Sequence, residues 1–285
     1  MSTSSTGASW GCSNTEVGVS SDRRRITRIR DAVRDEAADH VAVEAPLTVI
    51  VDGQVLATTM RTPGHDLELA AGWLVSESGV RASADISSMG SFATREDEGV
   101  DTVRVHLAEG VRPPRARAFV TTSSCGVCSS DVLAAVPAPE GPLHSAPWTL
   151  AAPTITGLLD GMRERQRTFE RTGGLHAATL VAPDLESLWT HEDVGRHNAV
   201  DKTVGAAVLA DLLPLTDHAL LVSGRVSYEI VTKALAAGVG AVVAVSAPTS
   251  LAIDLAREHD LVLIGFARGS HLNVYAGDNR VTTGG

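Results

Sequence analysis

The alternation of apolar strand patterns with helical patterns after Thr154 constrains the fold of this chain most strongly. Short apolar runs such as HALLVSG, AVVAVSAP and LVLIGFAR alternate with helical segments such as SYEIVTKALAAG and SLAIDLAREHD. Continuous apolar strands are typical of a sheet with both faces buried, and helical crossovers favour parallel strands. The sequence therefore predicts an α/β core at 154–285 with a mixed, largely parallel sheet.

The rest of the chain divides into three parts. Residues 1–22 are rich in Ser, Thr and Gly and predict a disordered tail. Residues 23–110 predict a smaller, β-rich α+β part, with a hairpin at Asp52-Gly53 and a following helix capped by Thr62. Residues 111–153 are rich in Pro, Ser and small residues, which predicts a mobile loop region. The core then opens with one amphipathic helix that Gly173-Gly174 closes.

Composition excludes several classes of protein. The formal net charge of −10 argues against nonspecific binding of nucleic acid, which needs a basic surface. No run approaches the ~20 apolar residues of a membrane helix, and the N-terminus lacks the apolar core of a signal peptide. We therefore expect a cytoplasmic protein that binds neither nucleic acid nor membrane, with cysteines that start out reduced.

Polar residues collect where the predicted strands end. The segments HEDVGRHN, SGRVS, SAPTS and FARGSH follow four strands, and three of them carry an arginine: Arg196, Arg225 and Arg268. Ligands of open α/β sheets bind beyond the carboxyl ends of the strands, and arginine binds phosphate in a bidentate manner. The sequence has no Walker phosphate loop and no Gly-x-Gly-x-x-Gly after a strand. It therefore predicts a pocket for a phosphorylated, nucleotide-like ligand rather than an NTPase or a dehydrogenase.

The stretch VTTSSCGVCSS places Cys125 and Cys128 three positions apart inside the predicted loop region. Such a pair can bind metal, form a redox disulfide or act as a nucleophile. A thioredoxin-like motif normally opens a long helix, but Pro137 and Pro139 would cut this one short. A zinc deaminase needs a glutamate two positions after its histidine ligand, where His176 is followed by Ala178. A thiol–disulfide protein and a deaminase-like enzyme remain the alternatives to a nucleophile that carries a transferred group.

Six long motifs in this order resemble the FdhD family, the accessory sulfurtransferases of formate dehydrogenase. They cover the chain from about Ile26 to the C-terminus: TPGHDLELAAGWLVSESGV, CGVC, TGGLHAATL, EDVGRHNAVDKTVG, SGRVSYEIVTKAL and LIGFARGSHLNVY. The resemblance implies a fold similar to that of cytidine deaminases, an α/β/α sandwich. It also implies a cysteine persulfide on Cys125, assisted by Cys128. One position departs from the family, because Ser129 stands where glycine often follows the second cysteine.

The resemblance further implies a substrate and partners. The protein would take sulfur from a cysteine desulfurase and deliver it to the molybdenum cofactor of formate dehydrogenase. This cofactor, bis-molybdopterin guanine dinucleotide, would be bound as a substrate, and no structural metal is expected. We expect a homodimer. The predicted cofactor-binding residues are those of the FARGSH segment and two further arginines: Phe266, Ala267, Arg268, Gly269, Ser270, His271, Arg225 and Arg196.

Overall fold

The computed structural model describes residues 19–92, 100–114 and 149–284. The strands are β1 (Ser21–Arg30), β2 (Val33–Ala42), β3 (Ala45–Val51), β4 (Gln54–Arg61), β5 (Ile86–Phe92), β6 (Asp101–Leu107), β7 (Leu150–Ala151), β8 (His176–Val181), β9 (Ser187–Asp193), β10 (Ala219–Val222), β11 (Ala241–Ala244), β12 (Val262–Arg268), β13 (His271–Ala276) and β14 (Val281–Thr282). The helices are α1 (Asp66–Ser78), α2 (Ala152–Arg165), α3 (Arg167–Thr172), α4 (Arg196–Leu209), α5 (Tyr228–Ala236) and α6 (Ser250–Glu258). Among these helices, none is both long and apolar enough to cross a membrane.

A six-stranded sheet forms the centre of the predicted core, in the order β13-β12-β11-β10-β8-β9. The sheet is mixed, as predicted, but it is not largely parallel. Only β10 with β11 and β11 with β12 pair in parallel. The pairings of β8 with β9, β8 with β10 and β12 with β13 are antiparallel. Two of these antiparallel pairs, β8–β9 and β12–β13, arise because their strands follow one another through short turns, which leave no room for a helical crossover.

Both faces of this sheet are buried. Leu220 and Val222 of β10 belong to a large apolar cluster with α1, α4, α5 and α6. Ala219 and Leu221, which point the other way, belong to a second cluster with α2 and β7. This alternation follows from the period of two along a strand. The described core is therefore a sheet with helices on each side, and its likeness to the deaminase fold remains a prediction.

The smaller β-rich part consists of a four-stranded sheet in the order β4-β3-β6-β5, packed against α1. The predicted hairpin joins β3 to β4, and Asp52 and Gly53 both have positive φ, at 47° and 79°. Residues such as Leu47, Val103 and Leu74 lie in the same apolar cluster as α4 and α5. The two parts therefore share one hydrophobic core.

Three local predictions need correction. Strand β1 begins at Ser21, inside the range assigned to the tail, and forms an exposed antiparallel ribbon with β2. Thr62 does not cap α1, because the helix begins three residues later than a Thr62 cap requires, after His65 in the left-handed conformation. The predicted single helix after Thr154 is broken at Gln166, whose ψ of 64° ends α2.

Candidate functional site at the carboxyl edge of the central sheet

Four strand ends meet at one edge of the central sheet, as the sequence predicts. Strands β10, β11 and β12 run in parallel, and β9 shares their direction because two antiparallel pairings through β8 connect them. The loops after β10 and β11 are tied together, since the backbone N–H of Val226 donates to the Ala247 carbonyl at 3.1 Å. The N–H of Phe266 donates to the Ser246 carbonyl at 3.1 Å. These bonds hold the loops in place around a common edge.

The FARGSH segment leaves the sheet through a bulge. Phe266 has a φ of 50°, an uncommon conformation for a non-glycine residue, and 50% of its surface is exposed. The preceding Gly265 packs tightly, because a Cβ there would lie 2.8 Å from Cδ of Pro248. The bulge separates Gly265 from Arg268, which pairs with His271 across the turn. Ser270 and His271 lie in or next to this exposed turn, where the Ser270 Oγ and His271 Nδ1 are 3.3 Å apart.

A pocket of about 630 Å³ opens at this edge, between the sheet and the α2–α3 pair. The sheet side is lined by His176, Ser223, Val245, Ala267, Arg268 and Gly269. The helix side is lined by Thr156, Leu159, Asp160, Met162, Arg163, Gln166 and Phe169. This volume is in the usual range for a small-molecule site, and the walls combine apolar surface with a few polar groups.

Two further predicted arginines lie near His176, which lines the pocket. The guanidinium groups of Arg196 and Arg225 act on the imidazole of His176, and a Cβ on Gly224 would lie 3.1 Å from its Nδ1. Burial first, then Arg196 and Arg225, lower the pKa of His176 below its ordinary value. His176 is therefore neutral at pH 7 and can donate or accept one hydrogen bond at the pocket wall.

Behind this wall lies a buried polar layer. The Nε2 of His197 is 3.2 Å from the Ser227 Oγ and 3.5 Å from the Glu229 Oε2. Burial, and then the charge of Arg196, lower the pKa of His197 to about 3. Within the described residues, the Arg196 Nε and the Glu229 Oε2 are buried without a hydrogen-bond partner. The positive charge beside this wall therefore comes from Arg196 and Arg225, which act on His176 and would stabilise an anion there.

Asp193 joins this edge to the smaller β-rich part. Its carboxylate accepts hydrogen bonds from the backbone N–H of Thr62 at 3.1 Å and from the Asn198 Nδ2 at 3.0 Å. It also pairs with the Lys202 Nζ at 2.8 Å, and both side chains are essentially fully buried. Asp193 and Asn198 of the EDVGRHN motif therefore hold the strand end in place from the side away from the pocket, and Arg196 of the same motif lies beside the pocket.

The remaining histidine and acid of the TPGHD motif have structural contacts. Asp66 accepts from the Arg61 Nε at 2.9 Å and Nη2 at 2.8 Å, and Arg61 is 1% exposed. His65 contacts the ring of His191 edge-on, with ring centroids 4.6 Å apart. The Nδ1 of His191 lies 3.2 Å from the Thr203 Oγ1. In the described ranges, no three metal-ligating side chains cluster around one point.

The predicted cofactor-binding residues lie on or near the sheet side of the pocket, and none of them lies on the helix side. Ala267, Arg268 and Gly269 line the pocket, whereas Arg196 and Arg225 lie beside it and Phe266 is exposed at the bulge. Cys125 and Cys128 lie outside the described residues, so their assignment stays a prediction. The missed residues of α2, Thr156, Asp160 and Arg163, recur at spacings of four and three. This polar stripe on one helix face was the signal that could have found them.

Comparisons with known proteins agree with this architecture. The model of the FdhD/NarQ family matches residues 42–282. A sulfur carrier protein FdhD from Streptomyces coelicolor is 46% identical over 93% of this chain and 97% of its own length. Another, from Mycobacterium tuberculosis, is 42% identical over 93% of this chain and 100% of its own.

One solved structure shares the fold. It is a putative formate dehydrogenase accessory protein from Desulfotalea psychrophila, with a TM-score of 0.72 and 22% sequence identity. The match covers 92% of this chain and 99% of that one. The family model and the relatives span nearly the whole described fold, including both walls of the pocket. The chain is therefore a member of the FdhD/NarQ family.

Proposed function

We propose that this protein is a sulfur carrier for formate dehydrogenase. It accepts persulfide sulfur from a cysteine desulfurase and transfers it to bis-molybdopterin guanine dinucleotide. Membership of the FdhD/NarQ family supports this role, and relatives that align over almost their full length bear the name sulfur carrier protein. The cytoplasm and the homodimeric state remain predictions for this chain.

The pocket at the carboxyl edge is the observation that carries the proposal. A volume of about 630 Å³ suits one guanine nucleotide arm of the cofactor, with the pterin and metal outside. Arg268 and the backbone at Gly269 line one wall, and Arg196 and Arg225 stand behind His176. Cationic side chains together with accessible backbone suit a pyrophosphate. The pocket thus fits the part of the substrate that must be held while sulfur reaches the metal.

The order of the chain supports delivery at this pocket. The segment that carries Cys125 and Cys128 returns to the described fold at Thr149, directly before β7 and α2. Helix α2 is one wall of the pocket. The segment with the two cysteines is therefore followed in the sequence by the helix that forms one wall of the pocket, against which the substrate would lie.

The transfer needs a balanced sequence of bond changes. The thiolate of Cys125 attacks the outer sulfur of the desulfurase persulfide, and the desulfurase cysteine leaves as a thiolate. The sulfane sulfur then resides on Cys125 as a persulfide. Attack by the Cys128 thiolate on the inner sulfur releases hydrosulfide to the cofactor and leaves a Cys125–Cys128 disulfide. A dithiol reductant then restores both thiols for the next cycle.

Loading with sulfur tests this proposal. Wild-type protein and the variants Cys125→Ala, Cys128→Ala and Cys12→Ala are incubated with a desulfurase and cysteine, and intact mass is measured. We expect one added sulfur on wild type, on Cys128→Ala and on the control Cys12→Ala, and none on Cys125→Ala. Activation of formate dehydrogenase should be lost in Cys125→Ala and reduced in Cys128→Ala. Sulfur on Cys125→Ala together with none on Cys128→Ala would reverse the two roles.

A further inference from the structure

Gln166 is a buried polar residue without a partner at the pocket wall. Only 3% of its surface is exposed, and Gln166 lines the pocket. No hydrogen bond to its carboxamide is formed by any residue in the described parts of the chain, and the carboxamide atoms are not among the fully buried unpaired atoms, so they are reached from the pocket. Buried side-chain amides in folded proteins are almost always hydrogen-bonded. An unpaired amide that borders a pocket is therefore available to a ligand, which would replace the water there.

The break between α2 and α3 does not need this side chain. The backbone N–H of Gln166 donates to the Arg163 carbonyl at 3.2 Å, and its carbonyl accepts from Glu170 at 2.9 Å. The first turn of α3 is capped by Glu192, whose carboxylate accepts from Thr168 and Phe169 at 2.9 and 2.7 Å. Any residue other than proline at position 166 could form the same backbone bonds. The carboxamide is thus not required for the local fold.

The two walls of the pocket offer different chemistry. The sheet wall carries Arg268 and neutral His176, with Arg196 and Arg225 behind, and suits the phosphates. The helix wall carries Arg163, which lies over the Phe169 ring, and also the Asp160 carboxylate and the Gln166 carboxamide, which supply hydrogen-bond acceptors and a donor. Guanine presents adjacent N–H donors next to a carbonyl acceptor, whereas adenine presents one amino donor next to a ring-nitrogen acceptor. The acceptors and the donor on the helix wall suit the edge of guanine in hydrogen-bonding type.

We propose that Gln166 is a specificity-determining residue that reads the nucleobase, with Asp160 as the neighbouring acceptor. This inference rests on the proposed function, because it takes the pocket as the site of a guanine nucleotide arm. It assigns to Gln166 the discrimination between guanine and adenine. The strand-end arginines cannot supply this discrimination, since phosphate contacts do not distinguish one base from another.

Calorimetry with GDP and ADP tests the role of Gln166. We expect the wild-type protein to bind GDP at least about tenfold more tightly than ADP, as one or two buried hydrogen bonds allow. In Gln166→Leu, the affinity for GDP should fall about tenfold and the preference should disappear. Its melting temperature should not fall, because an apolar group replaces an unpaired amide. Gln54→Leu, at an exposed hairpin position, is the matched control and should bind as wild type does.

The outcomes separate this inference from the proposed function. If Gln166→Leu keeps the wild-type preference for GDP over ADP, the role of Gln166 is overturned and the pocket stands. If wild type binds neither nucleotide, the pocket assignment fails and the inference fails with it, while sulfur loading on Cys125 remains a separate result. Should Gln166→Leu not fold, Gln166→Met decides. Methionine keeps the length of the side chain but has neither the amide donor nor the amide acceptor, so this variant should show the same loss of preference.

Discussion

At the scale of single residues, Arg268 is the cation on the sheet side of the pocket wall, opposite Arg163 on the helix side. It lines the pocket with Gly269, at the end of a bulged strand. Arg268→Ala should weaken the binding of GDP about tenfold, because a charge-assisted contact to phosphate is lost. Arg34→Ala, which changes an exposed arginine of the β1–β2 ribbon, should leave the affinity unchanged. Equal GDP affinity in both variants, measured by calorimetry, would move the phosphate site away from Arg268.

Two buried histidines should make the fold sensitive to acid. Burial lowers the pKa of His191 and of His197 to about 3, from an ordinary value of 6.5. Between these values the unfolded chain binds more protons than the folded chain does, so stability rises with pH in this range. Lowering the pH from 7 to 5 should cost about 2 kcal/mol of unfolding free energy for each histidine.

Urea unfolding at pH 7 and pH 5 measures this effect. The loss of stability between the two pH values should be about 2 kcal/mol smaller in His197→Gln than in wild type, because glutamine does not titrate. His40→Gln, on the exposed ribbon, serves as the control. A loss of the same size in His197→Gln and wild type would show that His197 accepts a proton in the folded state.

At the scale of elements, the contact between α1 and α4 depends on two glycines. A Cβ on Gly205 would lie 1.8 Å from the Glu68 carbonyl oxygen, and one on Gly72 would lie 1.9 Å from the Asp201 carbonyl oxygen. The two helix backbones therefore touch, which joins the smaller β-rich part to the central sheet. A side chain of any size would force them apart.

Gly205→Ala should destabilise the protein by about 3 kcal/mol, because neither backbone can move without disturbing the shared core. Gly157→Ala in α2 is the matched control, since a Cβ there meets nothing within 4 Å. That control should be neutral or stabilising by up to about 1 kcal/mol. Thermal unfolding of both variants checks the pair, and equal melting temperatures would contradict the close approach of α1 and α4.

At the scale of the whole molecule, the two lysines of the sequence, Lys202 and Lys233, are both buried. Lys202 pairs with Asp193 and Lys233 with Asp201, each at 2.8 Å. Positive charge on the surface of this acidic protein therefore comes from arginine. The lysines act inside, where each compensates a carboxylate that would otherwise be costly to bury.

Amine-reactive labelling should consequently modify the native protein only at its α-amino group. In denaturant, both lysines become accessible and two further labels should appear in the intact mass. Labelling of Lys202 or Lys233 at the same rate in native and denatured protein would show that these ion pairs open readily. Peptide mapping identifies the position of each label.

Much of the fold and half of the candidate site could be predicted from the sequence. The apolar strands, the Asp52-Gly53 turn and the arginines at the strand ends follow from local rules of burial period and turn conformation. The alternation of strands and helices along the chain predicted that the strand ends would meet. In the structure the ends of β9, β10, β11 and β12 do lie at one edge of the sheet. The persulfide assignment to Cys125 came from the family resemblance and stays a prediction.

What only the tertiary structure decided depends on contacts between distant parts of the chain. The antiparallel direction of β8 is set by its neighbours in the sheet, whereas a local pattern encodes only which face is apolar. The break at Gln166 also depends on such a contact, because the carboxylate of Glu192 arrives from β9 to cap α3. The sequence by itself determined the elements and the cationic edge of the site. The tertiary structure determined the second wall and the unpaired carboxamide in it, since both exist only where helix and sheet meet.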